Sequence, residues 1–364
     1  MDYHVSRRNK LRRLVSKAGA DGLLVTNFTN VTYLTGFTGD DSYLLVRSDG
    51  DVLISDPRYT TQLEEECPGL DLLIRPPGMT MTKGIAKAVG SAKLGSMAIE
   101  GSSMTVGLRD QIAAALAKVE FVTTDGLVEQ LRVTKDKYEI ALLREAVYMA
   151  EKGFEVLRST LRKEKTESQV AAELELAMRQ FGAKGCAFPS IVAVGPRAAL
   201  PHATPTEATI GSSDLLLVDW GANGGMYRSD LTRVLVTGRI SPKLRKVYQT
   251  VLKAQVAAIK AVRPGIEAAQ VDAVARNIIA KAGFGRYFGH GLGHGLGLDV
   301  HEAPRLAVGS TTVLKPGMVV TVEPGIYLPG WGGVRIEDDV LVTRDGYEVL
   351  TSTCKEFDEA VVDC

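Results

Sequence analysis

The sequence is poor in cysteine and histidine and has no surplus of charge of either sign, and each scarcity excludes something. Cys67, Cys186, Cys354 and Cys364 are dispersed and form no Cys-x-x-Cys pair, so neither a disulfide framework nor a zinc knuckle is expected. Lys plus Arg equals Asp plus Glu at 43 each, which leaves no overall basic field to hold nucleic acid or anionic lipid. No uninterrupted apolar run approaches the ~20 residues of a membrane span, and the first residues lack the apolar core of a secretory signal. The expectation is a cytoplasmic protein with no nucleic-acid or membrane partner. Hydrophobic residues at 45% and charged residues at 24% are ordinary for a globular chain and argue against disorder or fibre.

With 364 residues the chain is too long for one ordinary core, and two domains are expected. The run Arg7 to Arg13 interleaves with Leu11, Leu14 and Val15 at helical spacing, so it reads as the solvated face of a first helix ending near Gly19. Strand patterns at Gly22–Thr26, Tyr43–Val46, Val52–Ile54, Leu70–Ile74, Met97–Glu100 and Glu120–Thr123 alternate with helical ones at Thr80–Val89 and Thr105–Lys118. Asp49-Gly50 marks a hairpin, and the whole predicts a small α/β domain over residues 1–130. It contains no catalytic constellation, which makes it a lid or an assembly module.

From 131 to 364 the order changes. Asp136 with Glu139, and Thr166 with Gln169, are capping-box signals that open two amphipathic helices. Strands follow at Ala187–Val194, Leu215–Asp219 and Met226–Val236, then helices at Pro242–Val262 and Glu267–Ala282, then strands at Met318–Glu323 and Val334–Val342. Helices grouped in sequence predict α+β, with a helix pair and hairpin occurring twice in broad outline.

Of five histidines, three lie between Gly289 and Pro304, where glycines alternate around His290 and His294. Alternating glycine lets backbone approach closely and leaves an imidazole uncrowded. Acids also end or interrupt apolar strands: Asp219, Asp230, Glu323 and Glu337. A carboxylate at the end of a buried strand is costly unless paired or bound to metal. One nitrogen from His294 with several carboxylate oxygens suits a hard or borderline divalent ion, and four negative charges imply two. Spacing alone leaves open whether Asp219 and Asp230 share a face, because that depends on how Gly221 to Gly225 turn.

The ordered set Asp219, Asp230, His294, Glu323 and Glu337, with Gly-His-Gly-Leu-Gly-Leu-Asp-Val-His-Glu, Val-Glu-Pro-Gly-Ile-Tyr and Gly-Val-Arg-Ile-Glu-Asp, resembles the Xaa-Pro aminopeptidase and prolidase (Xaa-Pro dipeptidase) family over essentially the whole chain. The resemblance implies a C-terminal pita-bread metallopeptidase fold behind a creatinase-type domain, a likeness to homodimeric enzymes, and a proline-containing peptide as substrate. It implies two divalent ions, Mn²⁺ first, with Co²⁺ or Zn²⁺ as alternatives. Asp219 would bind the first, Asp230 and Glu337 would bridge both, and His294 with Glu323 would complete the second.

His202, His290 and His301 match non-ligand histidines that hold substrate and stabilise the reacting carbonyl, and Tyr327 and Arg335 match pocket positions. The implied reaction is attack on the Xaa-Pro carbonyl by a hydroxide shared between the ions, with Glu323 as acid/base and His301 or His290 donating to the oxyanion. Trp331, in the short connection Leu328 to Gly333, is expected to wall the pocket. Rival readings are a methionine-aminopeptidase-like hydrolase, disfavoured by the leading domain, and a creatinase-like or non-catalytic pita-bread protein, disfavoured by the complete ligand set.

Overall fold

The computed structural model describes residues 3–362 and 364, and the chain divides into two compact units between Arg132 and Val133. The first unit holds helices α1 (Tyr3–Lys17), α2 (Phe28–Thr35), α3 (Thr60–Glu66), α4 (Met81–Ala92), α5 (Val106–Ala115) and α6 (Glu129–Arg132). Its strands are β1 (Gly22–Val25), β2 (Tyr43–Arg47), β3 (Asp51–Ser55), β4 (Asp71–Ile74), β5 (Ser96–Glu100) and β6 (Glu120–Thr124). They form one mixed sheet in the order β4-β3-β2-β1-β5-β6, with the hairpin at Asp49-Gly50 where expected.

Helices α2, α3 and α6 fall where the sequence reading names no element. The stretch after Asn27 is helical, although Thr29, Val31, Thr32 and Thr35 are β-branched. Its ends decide: the Asn27 side chain accepts from the Asn30 amide, and Gly36 closes the helix at φ 85°.

The second unit holds α7 (Lys137–Thr160), α8 (Glu167–Gln180), α9 (Pro242–Ala261) and α10 (Ala268–Lys281). Both capping boxes form as the sequence predicts, Asp136 with Glu139 and Thr166 with Gln169. The strands of its first half are β7 (Gly185–Cys186), β8 (Ile191–Val194), β9 (Leu215–Trp220), β10 (Ala222–Asn223) and β11 (Leu231–Val236). Those of the second half are β12 (Gly293–Gly295), β13 (Glu302–Leu306), β14 (Val319–Val322), β15 (Gly325–Leu328), β16 (Gly332–Arg335), β17 (Asp338–Val342) and β18 (Tyr347–Val349). They make a three-stranded sheet, β11-β9-β8, and a five-stranded sheet, β13-β12-β14-β17-β18, with small ribbons β7–β10 and β15–β16. This is the α+β arrangement read from the sequence.

Three strand expectations need correction. The run expected over Met226–Val236 is strand only from Leu231 to Val236, because the residues before it form a turn joined to Asn223 by the Arg228 bridge. Strand β8 starts at Ile191, because Pro189 cannot donate to a ladder. The run from Val334 to Val342 is two strands, since the chain leaves β16 at Ile336 and joins a different sheet at Asp338.

Strand β9 lies between two apolar layers, and its residues alternate between them. Leu215 and Leu217 join a core with α9, α10 and the second sheet, whereas Leu216, Val218 and Trp220 join a core under α7 and α8. Trp220 stacks on Phe154 with centroids 4.1 Å apart, and its indole N–H donates to the Ala150 carbonyl at 2.9 Å. Period-two alternation therefore turns Asp219 towards the interior between the two sheets.

Replacing Phe154 with Ala is expected to destabilise the unit by about 3–5 kcal/mol while leaving the acids in place. Urea unfolding followed by tryptophan fluorescence should show the lower midpoint, and an unchanged midpoint would mean that this contact does not anchor the sheet.

Candidate metal centre

Strands β9 and β11 pair so that Asp219 faces Thr232, and the pairing runs on to a bridge between Asn223 and Arg228. The turn thus spans Gly224 to Tyr227, an even number of residues. Asp230 lies two residues before Thr232 and shares its face, so Asp219 and Asp230 point the same way. Gly221 makes this possible, since a Cβ there would stand 1.8 Å from the Ser229 carbonyl oxygen.

His294 occupies the middle of β12, squeezed between β13 and β14. A Cβ at Gly293 would meet the Thr321 carbonyl oxygen at 2.0 Å, and one at Gly295 the Ala303 oxygen at 2.1 Å, which explains the glycines on either side. The ring Nδ1–H donates to the Gly295 carbonyl at 3.1 Å, so Nε2 faces the acids, 3.3 Å from Glu323 and 3.6 Å from Asp230. Glu323 follows β14 directly and accepts from the Thr321 hydroxyl at 3.3 Å. Glu337, at the switch from β16 to β17, donates its amide to the Thr232 carbonyl and accepts from the Thr232 hydroxyl at 2.6 Å. One ligand atom each from Asp230, His294 and Glu337 lie within 4.8 Å of one another, and all three residues are buried.

A cavity of about 650 Å³ opens onto this cluster, and its wall includes all five proposed ligands together with His202, His290, His301, Tyr327 and Arg335. Arg335 is buried and pairs with Asp219, while also donating to the Tyr327 hydroxyl at 2.8 Å and the Thr232 hydroxyl at 3.0 Å. The Tyr327 hydroxyl in turn meets Nε2 of His290 at 2.9 Å, and His290 Nδ1 donates to the Gly291 carbonyl at 2.8 Å. Both His290 nitrogens are therefore engaged, which leaves it no N–H for an oxyanion. His202 and His301 are exposed to the cavity and, among the described residues, have no hydrogen-bond partner.

Burial and mutual repulsion set the charges of the cluster. Burial, followed by the charges of Glu337 and Asp219, holds Asp230 well above the usual carboxylate range, and burial with Glu323 and Asp219 does the same to Glu337. Burial also raises Asp219 in spite of Arg335. Burial pushes Glu323 up too, but the hydrogen bond and charge of His294, with His290 and Arg335, outweigh it and leave its pKa lowered. Burial lowers His290 and His301, and keeps both neutral near pH 7. Asp219 Oδ1 is buried without a partner among the described residues. An orphaned carboxylate oxygen and mutually repelling acids around one imidazole nitrogen fit a divalent cation.

Sequence reasoning missed four residues here. Thr232 and Thr321 orient the acids and lie on the ligand faces of their strands, so period two from Asp230 and Glu323 finds both. Asp339 is buried beneath the centre and accepts from the Asp230 amide at 3.2 Å. Arg305 lines the cavity opposite His294 in the β12–β13 register. Trp331, by contrast, does not join the cavity wall: Lys243 of α9 lies over its ring, 4.6 Å from the centroid.

Asp230 and Glu337 hold protons to higher pH when folded than when unfolded. Their contribution to metal-free stability is full below the ordinary carboxylate pKa, about 4, and is lost as pH rises through their raised values. A divalent ion binds the ionised forms, so the melting-temperature rise on adding Mn²⁺ should be small near pH 5 and grow towards pH 8. With metal at about 100 times its Kd the gain is about 2.7 kcal/mol, or roughly 5–10 °C. Asp230→Asn and Glu337→Gln should each abolish it, and an equal rise at both pH values would count against the site.

Comparison with known proteins shows the family. Residues 141–344 match metallopeptidase family M24, and residues 7–134 match the creatinase/prolidase N-terminal domain. The Xaa-Pro dipeptidase of Pyrococcus horikoshii is 36% identical over 98% of this chain and 100% of its own. The structure of the Xaa-Pro dipeptidase from Bacillus anthracis superposes with a TM-score of 0.94 at 40% identity, covering 97% of this chain and 99% of that one. That of an X-Pro aminopeptidase from Thermotoga maritima gives 0.90 at 34% identity, covering 97% and 99%. By these matches over both units, the chain belongs to metallopeptidase family M24, a metal-dependent hydrolase with a creatinase-type N-terminal domain.

Proposed function

We propose that the protein hydrolyses the Xaa-Pro bond at the N-terminus of short peptides, as a cytoplasmic homodimer using two divalent ions, Mn²⁺ first among the candidates. The observation that carries the reading is one cavity holding the acid cluster beside two uncommitted imidazoles, His202 and His301. Asp219, Asp230, His294, Glu323 and Glu337 would hold the ions. Bound there, divalent ions bring the pKa of a water molecule towards neutrality and polarise a carbonyl.

The chain's own groups do the rest. Glu323 is ionised near neutral pH, so its carboxylate can take a proton and pass it to the leaving proline nitrogen. His301 keeps one N–H when neutral and can donate it to the developing oxyanion. A proline nitrogen in a peptide bond has no hydrogen, so its ring must be recognised by shape, and Phe188, Pro189, Ile191 and Val300 supply an apolar wall.

Arg305 favours a dipeptide. Arg335 is committed to Asp219, whereas Arg305 is exposed on the cavity wall and, among the described residues, forms no ion pair. It can meet a proline carboxylate, which a longer peptide would carry further away.

Hydrolysis of Ala-Pro beside Ala-Pro-Ala, by metal-stripped protein and by protein resupplied with Mn²⁺, tests the reading. Metal-dependent cleavage of Ala-Pro is expected to dominate, and Arg305→Ala should raise its KM roughly tenfold, about 1.4 kcal/mol. Preferred cleavage of the tripeptide would make the enzyme an aminopeptidase, and no cleavage with metal bound would point to a binding role. His301→Ala should keep its metal but lose about 10²–10³ in kcat, and unchanged kinetics would reduce His301 to a structural part.

A further inference from the structure

His202 stands in the cavity wall with no hydrogen bond among the described residues to orient its ring, so its place depends on the backbone that carries it. That backbone is the connection between β8 and β9, a segment of turns and 3₁₀ helix. Its two legs converge on one carboxylate. Glu167, the first residue of α8, is fully buried and accepts from the Val194 amide at 2.8 Å, before His202 in the chain. It also accepts from the Thr206 amide at 2.9 Å and the Thr206 hydroxyl at 2.7 Å, after it.

Arg197 donates its Nε to both Glu167 oxygens, at 3.0 and 2.9 Å, and reaches across to the Thr204 carbonyl at 2.6 Å. The Glu167 amide itself donates to the Ala208 carbonyl at 3.0 Å. A carboxylate buried this completely is costly unless every oxygen is satisfied, and charge-assisted hydrogen bonds fix direction as apolar packing does not.

We propose that Glu167 and Arg197 are positioning residues for the hydrolysis, clamping both legs of the 194–206 connection so that His202 is presented to the substrate. The inference rests on reading His202 as a substrate-facing group.

A double-mutant cycle with His202→Ala tests it, using Mn²⁺-loaded protein, Ala-Pro as substrate, and metal content measured for every variant. Glu167→Gln keeps the volume but loses the charge, and is expected to lower kcat by about 10–100-fold with metal content unchanged. In the His202→Ala background the same change should alter kcat by less than about twofold, because the group it positions is already gone. An equal loss in both backgrounds, or a fallen melting temperature with kcat unchanged, would overturn the proposal. Should Glu167→Gln fail to fold, Arg197→Lys runs the same cycle with a smaller loss expected and the same outcomes deciding.

If the unaltered protein cleaves no Xaa-Pro substrate, the functional reading fails alone. The clamp is then read by NMR of histidine-labelled protein. The His202 resonance, assigned by its absence in His202→Ala, should shift or broaden in Arg197→Lys, and an unmoved resonance would overturn the clamp.

Discussion

The catalytic unit depends on one electrostatic constraint: several carboxylates are held in a buried space where they repel one another. At 4 Å two such charges cost about 4 kcal/mol in a protein-like dielectric. Asp230 and Glu337 respond by holding their protons, and Asp219 by leaning on Arg335. Only rigid backbone can keep acids in that place without their cation. The two apolar layers around β9 provide it, together with glycines that let strands approach where any side chain would collide. The Thr232–Glu337 bridge ties the two sheets together at the centre itself.

The same constraint separates the histidines by job. His294 sits on a strand with its Nδ1–H spent on its own backbone, which fixes the tautomer and aims Nε2 at the acids. His290 closes a hydrogen-bonded chain running from Asp219 through Arg335 and Tyr327, and burial pushes the Tyr327 hydroxyl up to about 12, so the phenol stays protonated throughout. His202 and His301 keep their nitrogens for whatever enters the cavity. A motif with three histidines thus holds one with a single nitrogen turned to the acids, one with both nitrogens engaged and, among the described residues, one with neither, a division set by hydrogen bonding rather than by residue type.

Legibility in the sequence followed the range of the interaction. Capping boxes are local, and both were readable at Asp136 and Thr166. The acids were readable because a carboxylate ending an apolar strand is anomalous wherever the strand goes. The shared face of Asp219 and Asp230 was not, since it depends on whether the turn from Gly224 to Tyr227 is odd or even, and composition does not say. The helix at Phe28–Thr35 was hidden because its caps, not its β-branched interior, decide it. Trp331 was misplaced because its partner, Lys243, lies 88 positions away in sequence and no pattern links them. Glu167 looked like any acid in a first helical turn, and its partners are visible only once the chain has folded back over it.

The proposed ligands and the uncommitted histidines also differ in how they are supported. Asp219 and His294 lie within strands, and Asp230, Glu323 and Glu337 directly adjoin them, so ladder hydrogen bonds fix them as a by-product of folding. His202 and His301 lie on connections, where no ladder helps, and each connection carries its own ion pair. For His202 it is Glu167 with Arg197. For His301 it is Lys135 with Glu302, 3.0 Å apart and almost wholly buried, with the other Glu302 oxygen accepting from the Asp299 amide and Gly297 packed against the carboxylate. Buried ion pairs add little to stability compared with apolar packing, but their directionality fixes a backbone that has no other reason to stay in one place. They occur here beneath the two imidazoles that are otherwise free, and this placement fits a need for geometry better than a need for stability.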